Sequence, residues 1–407
     1  MPNSKKKPCL LAVGDAVATT GFSRVTRNIL EPISLRFEIH QIAVNYYGDP
    51  HDLPWKLYPA SLAGDPLGAT RLRPLTEKCK PDLIFLVGNL PRIVSYVNAL
   101  GDLATRIPIV AYCPVEAAPI PPARFAELCG VNILVFYTQF AKKEFGIAIE
   151  RSGHEASKED VSDIRVIPHG IDSEMFFPLE IENPDRDAVK QRAKDKLFRG
   201  DEEHANSFVV LNSNRNERRK RIDMTIKGFA DFARDKDRFV KLHLHMGNED
   251  VGWKIVDMCH RFGIYDRLIM TNHSKGLPSV DTEELNLIYN AADVGINTSS
   301  SEGWGLVSFE QAATRTAQIV PRHASCEELW SDTAQMMEPG LVIVDPQSMT
   351  DQHIVSPGTV AAALETLYSD QEQRQTVADR CYERATHPDF QWSKISGQWE
   401  SIFNELL

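Results

Sequence analysis

The chain has 407 residues, 43% hydrophobic and 25% charged, with a formal net charge of −11. This is the balance of a globular protein with room for two domains, or three. The acid excess argues against global attraction to nucleic acid or an anionic membrane, though not against a local basic patch. Cys9, Cys79, Cys113, Cys129, Cys259, Cys326 and Cys381 are scattered and odd in number, with no CxxC. They read as reduced, buried thiols in a cytoplasmic compartment. The opening MPNSKKKPCLLAVGDA holds an apolar run of only about six residues, too short for a signal-peptide core or a spanning helix. No other stretch is long enough to cross a bilayer, and nothing repeats at a fixed period.

Cys9 to Val17 reads as a first buried strand, running through Asp15–Gly21 into a helix from Phe22 to Ile33. Glu38 to Tyr46 is a second strand. His51 to Pro74 is rich in Pro and Gly and reads as an irregular excursion. Further strands are expected at Asp82–Val87, Ile107–Tyr112 and Asn132–Tyr137, with helices at Leu90–Leu103, Pro122–Cys129 and Gln139–Gly146 between and after them. Strands alternating with helices imply a parallel, doubly wound sheet, whose ligands sit at the carboxyl ends of the strands. Arg165–Asp172, RVIPHGID, is a strand exit punctuated by Pro168 and Gly170.

Glu180 to His204 is polar and charged and reads as the linker. Its Asp185-Arg-Asp187, like Asp235-Lys-Asp237, lies in a charged segment and not at a buried strand end, so no metal is expected. A fresh strand, Phe208–Asn212, leads through Arg215, Arg218, Arg219, Lys220 and Arg221 into a helix ending at Arg234. Lys241–Met246 is a strand with His243 and His245 on one face, read as satisfied or exposed histidines. Gly252–Phe262 and Thr282–Ala292 are helical, Arg267–Thr271 is a strand, and Asn272–Val280 is a loop. Gln318–Ser325 and Leu341–Pro346 are later strand-to-loop steps, and Ile395–Leu407 is a closing helix.

The most informative stretch is Ser299–Ala313, SSSEGWGLVSFEQAA. An apolar strand precedes it, Gly303-Trp304-Gly305 forms a flexible turn, and an amphipathic helix begins near Leu306. Strand, glycine turn and helix N-terminus make an anion site of free N–H groups and positive dipole. Two acids flank it: Glu302 in the loop, and Glu310 about a turn into the helix, leaning back toward the same mouth. Carboxylates repel phosphate but accept hydroxyls. The pair therefore suggests a ligand with both phosphate and hydroxyl groups, such as a nucleotide sugar.

The Glu-x7-Glu spacing within SEGWGLVSFEQAA resembles the signature of family 4 retaining glycosyltransferases, which have the GT-B fold. The resemblance implies two Rossmann-like doubly wound domains facing across a cleft. These would be an acceptor-side domain over 1–180, a nucleotide-sugar domain over 205–388, and a helix over 389–407 packing back on the first. It implies sugar transfer from a nucleotide-diphosphate sugar to a hydroxyl acceptor, with retention, without a metal or other cofactor. Arg215 and Lys220 resemble the family's G-R-x-x-x-x-K-G, whose Arg and Lys hold the diphosphate, with Asn214 and Arg221 standing where the family has glycine. An Arg forks onto two phosphate oxygens and a Lys adds a point charge, while Arg218, Arg219 and Arg221 read as solvated or acceptor-facing. By the same resemblance Glu310 would hold the ribose and Glu302 the sugar. N–H groups near Gly303, Trp304, Gly305 and Leu306 would face the diphosphate, and Gly21 would let the backbone approach the reacting phosphate. A His-Asp pair of many members has no histidine here, and Glu116 stands near that place on the acceptor side. RVIPHGID followed by Phe176, Phe177 and Pro178 matches the turn closing the first domain, a structural role. Glu302 as a nucleophile, a nucleotide-sugar epimerase of the same fold, and a non-catalytic nucleotide-binding module are the alternatives. The acceptor is open among lipid, polysaccharide, protein, small molecule and a modified nucleic-acid base.

Overall fold

The computed structural model describes residues 6–407 except 19, 126, 127, 129, 153–162, 184, 277 and 279. It divides into two compact units: Met1–Gly170 with Ser348–Thr350 and Asp389–Leu407, and Ile171–Gln347 with Asp351–Pro388.

Among the described residues the first unit holds seven strands: β1 Cys9–Asp15, β2 Glu38–Val44, β3 Lys56–Pro59, β4 Leu83–Val87, β5 Ile109–Cys113, β6 Ile133–Phe136 and β7 Asp163–Val166. They lie in the order β3-β2-β1-β4-β5-β6-β7, and every pair is parallel. β1, β4 and β5 are buried along their whole length, which is why their sequences run apolar instead of alternating. The core joins Leu11, Ile42, Ile84 and Leu86 to Ile93, Tyr96 and Leu100 of the helix Leu90–Leu100. The chain's last helix, Trp392–Glu405, belongs to this unit. Its Trp399 and Phe403 rings lie 5.1 and 5.2 Å from Phe85, and Arg165 forks onto Glu405 at 2.8 and 2.7 Å.

Two expectations need correction here. His51–Pro74 is not irregular, for it contains β3 and the start of a helix, Ala69–Cys79. β3 is a four-residue edge strand, mostly half-exposed, too short to show a pattern. The helix carries Pro74 in its interior, where Pro reads as a breaker. The helix expected at Pro122–Cys129 is a single 3₁₀ turn, Pro122–Arg124, and Ala126, Glu127 and Cys129 lie outside the described residues.

The second unit holds β8 Phe208–Asn212, β9 Val240–Glu249, β10 Leu268–Lys275, β11 Val294–Ile296, β12 Ala317–Pro321 and β13 Gln335–Met337. Their order is β10-β9-β8-β11-β12-β13, again all parallel. A separate antiparallel hairpin pairs β14 Leu341–Val344 with β15 Asp351–Ile354. Sequence order reverses between β1 and β4 in one sheet and between β8 and β11 in the other. These are the two topological switch points, where carboxyl-end crevices open.

The segment read as a linker is largely a helix, Arg186–Phe198, within the second unit. Its few apolar residues form no stripe. It is held by a small apolar cluster of Ala193 and Leu197 with Leu287 and Ala291, and by Lys194, buried 2.7 Å from Asp293, whose carboxylate also accepts from the Val209 N–H at 2.7 Å. Asp185 caps this helix, accepting from the Ala188 N–H at 3.0 Å, and Asp187 accepts from Gln371. His243 and His245 both bond to the Thr271 hydroxyl, at 2.9 and 3.0 Å. Burial pushes their imidazoles down to about 3 and about 4, so both are neutral. Among the described residues no helix is long and apolar enough to cross a membrane.

Candidate active site

The loop leaving β8 folds on its own amides. Asn212 Oδ1 accepts from the backbone and side-chain N–H groups of Asn214, both at 3.0 Å. Asn216 bridges to the Gly247 carbonyl at 3.2 Å and the Trp253 carbonyl at 2.7 Å. A short turn, Arg218–Lys220, follows. Arg221 then takes a left-handed conformation, φ 49° and ψ 46°, before the helix Ile222–Phe232. Here the family pattern has glycine, and the backbone keeps a glycine-like shape under an arginine. The Arg221 guanidinium forks onto Asp223 at 2.9 and 2.6 Å.

The loop leaving β11 is bonded to this one along its length. Thr298 Oγ1 lies 3.1 and 2.9 Å from the carbonyls of Lys220 and Arg221. The Ser300 N–H donates to the Arg219 carbonyl at 2.7 Å. Ser325 Oγ holds the Glu302 carbonyl at 2.6 Å, and His323 Nε2 holds the Ser299 carbonyl at 2.7 Å. The Glu302 carboxylate is thereby fixed against Lys220, with Ser299 Oγ at 3.2 Å and Arg219 at 3.4 Å. Glu302 is 5% exposed and Lys220 8%, so the pair is dry. Burial pushes the Glu302 carboxyl up, but Lys220, Arg219 and the bonds from Lys220 and Ser299 outweigh it and hold it at about 2. At neutral pH Glu302 is therefore a carboxylate that accepts hydrogen bonds, not an acid that donates a proton.

The helix Leu306–Ala313 starts at Gly305, whose φ of 89° suits glycine and which offers no capping side chain. No acid lies in its first turn, so its leading N–H groups and dipole remain suited to an anion. Gln311 ties the helix to Ser213, after β8, at 2.6 Å. The helix lies so close to β11 that a Cβ on Gly295 would fall 1.9 Å from Gln311 Oε1.

The structure brings Lys220, Glu302 and the Gly303–Leu306 turn together at the β8–β11 switch point. Arg215 stands on the β9 side of that edge, with its guanidinium forked onto Asp250 at 2.6 and 3.1 Å. The Trp304 ring stacks on Phe309 at 4.9 Å, inside the core, leaving its backbone as the part suited to a ligand. Glu310 is buried, with Oε2 3.1 Å from the Tyr289 hydroxyl. Arg219, read from the sequence as solvated or acceptor-facing, instead reaches Glu302 and the Ser301 carbonyl at 3.1 Å. His323 was not singled out at all, since one histidine after an apolar strand carries no signal. Burial pushes it down to about 4, against the Ser299 bond, and it is neutral.

Gly21 and Glu116 belong to the first unit. Gly21 opens the helix Gly21–Ile33, capped by Thr20, which accepts from the Ser23 N–H at 3.1 Å. Glu116 is half-buried in the loop after β5. His169 is buried, with Nδ1 2.8 Å from the Tyr112 hydroxyl, and burial pushes it down to about 3. Asp172 Oδ1 accepts from the Glu174 and Met175 N–H groups, each at 3.1 Å. Both sit in structural bonds. Among the described residues no group of three or more His, Cys, Asp or Glu is placed to hold a metal ion.

Known structures give this architecture its class. The chain is similar to sucrose-phosphate synthase from Thermosynechococcus elongatus, with a TM-score of 0.71, 16% identity, and coverage of 98% of this chain and 99% of that one. It is also similar to Anabaena HepE in complex with UDP-glucose, with a TM-score of 0.68, 16% identity, and coverage of 98% and 99%. The chain has the GT-B fold, built of two parallel-sheet Rossmann-like units. No family model matches it. Among curated proteins it is 27% identical over 168 residues to mannosylfructose-phosphate synthase of Agrobacterium fabrum, 39% of this chain and 33% of that one. It is 31% identical over 124 residues to D-inositol 3-phosphate glycosyltransferase of Corynebacterium glutamicum, 30% of this chain and 26% of that one. The matches thus span a third or less of those relatives.

Proposed function

We propose that the chain is a retaining glycosyltransferase that moves a sugar from a nucleotide-diphosphate sugar to a hydroxyl acceptor. The observation that carries this is the pairing of Lys220 and Arg219 with an ionised Glu302 beside an uncapped helix start. Cations and N–H groups suit the diphosphate, and carboxylates suit hydroxyls. In this reading the second unit takes the donor and the first unit takes the acceptor. Glu302 accepts from the sugar hydroxyls and Glu310 from the ribose. As the glycosidic bond breaks, negative charge grows on the leaving diphosphate. Lys220, Arg215 and the Gly303–Leu306 amides then bind the transition state more tightly than the ground state. The leaving phosphate takes the acceptor's proton, so no side-chain base is needed. Because the chain supplies these positive groups itself, the reaction proceeds without a metal. The free thiols fit a cytoplasmic setting.

Product analysis tests the reading. The protein is incubated with UDP-, GDP- and ADP-sugars, alone and with pooled hydroxyl acceptors. Slow donor hydrolysis alone, and an acceptor-dependent α-linked product from an α-linked donor, are expected. An epimerised sugar, or no turnover of any bound donor, would overturn it.

A further inference from the structure

The first unit carries a second cluster of reactive groups, at the amino ends of its strands. Glu38 opens β2, Cys9 opens β1, and Cys79 ends the helix Ala69–Cys79. Cys79 Sγ lies 3.5 Å from His40 Nδ1, and His40 Nε2 lies 3.4 Å from Glu38 Oε1. A carboxylate can only accept here, so Nε2 carries the hydrogen and the Nδ1 lone pair faces both the thiol and the nearer Tyr58 hydroxyl. The other facing groups are the Tyr58 hydroxyl, 2.9 Å from Nδ1 and 4.0 Å from Sγ, and Lys56, 4.0 Å from Glu38. Cys9 Sγ reaches the Cys79 carbonyl at 3.9 Å, with Asp82 bonded to the Cys9 N–H at 2.8 Å and Lys6 acting on the Cys9 thiol through its charge. Among the described cysteines, Cys79 alone is not fully buried. The sequence reading of uniformly buried thiols is corrected at this residue.

We infer that Cys79 is a modification site for small soft electrophiles, with His40 as its base and Glu38 orienting His40. This thiol–imidazole–carboxylate order is the arrangement of an activated nucleophile. In the step, sulfur bonds to the electrophilic carbon, the leaving group departs with its electron pair, and His40 Nδ1 takes the thiol proton. Cys79 sits at the negative end of its helix, which opposes a thiolate. Enhanced reactivity therefore depends on His40 and not on exposure alone.

The test is limiting iodoacetamide on the native full-length protein at pH 7, with each cysteine quantified by peptide mass spectrometry. Cys79 is expected to alkylate first, about tenfold faster than the same cysteine in the urea-unfolded chain. His40→Asn, its folding checked by thermal melt, should erase that advantage. Glu38→Gln, at a half-exposed side chain, should reduce it and serves if His40→Asn does not fold. Cys79 reacting no faster than in the unfolded chain, or at an unchanged rate in the folded variants, would overturn the inference.

Discussion

The two sheets share one strand order, yet their switch points are furnished differently. Between β8 and β11 stand Arg219, Lys220 and Glu302, locked by side-chain and backbone bonds. Between β1 and β4 the first unit offers small polar groups: Thr20 caps its helix, and Ser23 Oγ donates to the Ala16 carbonyl at 2.5 Å. Asp15 is buried there, its carboxyl pushed up by burial against an Asn45 bond of 2.6 Å. One scaffold thus presents a crevice built on a buried ion-pair network and another built on a capped helix and a single buried acid, so the chemistry resides in the loops and not in the fold.

The largest expected effect falls on the charged side. Lys220→Ala should lower donor turnover about a hundredfold or more, measured as nucleotide release, because one stabiliser of the leaving group is gone. The same change leaves buried Glu302 without its nearer cation, with only Arg219 at 3.4 Å, and should cost about 3 kcal/mol in a urea melt.

Acid titration sharpens the contrast. Glu302 is held at about 2 against an ordinary 4.5, a difference on the order of 3 kcal/mol. A depressed carboxyl stabilises the fold fully above its unfolded value and progressively less as pH falls toward its folded one. The stability gap between wild type and Glu302→Gln should therefore be constant at neutral pH. It should close between pH 4.5 and about 2, as followed by urea melts. A gap independent of pH would remove the ionised pair from the account.

On the quiet side, Thr20→Ala should cost about 1 kcal/mol, the worth of a helix cap, and leave donor affinity unchanged. The smallest effect is expected at Arg221. Replacing it by Gly relieves a left-handed arginine and should raise stability by about 0.5–1 kcal/mol in thermal melts.

The charged loop was legible in the sequence because its residues sit at strand exits. Phe208–Asn212 matches β8 residue for residue, and the helix start at Leu306 follows from the glycine turn. What stayed hidden was held by tertiary contacts. Arg219 looked like one more solvated arginine until the β11 loop folded over it. The helix Arg186–Phe198 shows no apolar stripe, and its anchorage combines the small Ala193–Leu287–Ala291 cluster with Lys194 on Asp293, neither visible before folding. β15 is legible only through its partner β14 and through its anchor at Ser300, whose carbonyl accepts from the His353 N–H at 2.9 Å.

Calorimetric titration of UDP-glucose, GDP-mannose and ADP-glucose into wild type, Lys220→Ala and Glu302→Gln tests the central claim most directly. The account predicts that wild type binds at least one of them, with affinity lost in Lys220→Ala and reduced in Glu302→Gln. Equal affinity in all three proteins, or none for any donor in wild type, would contradict it.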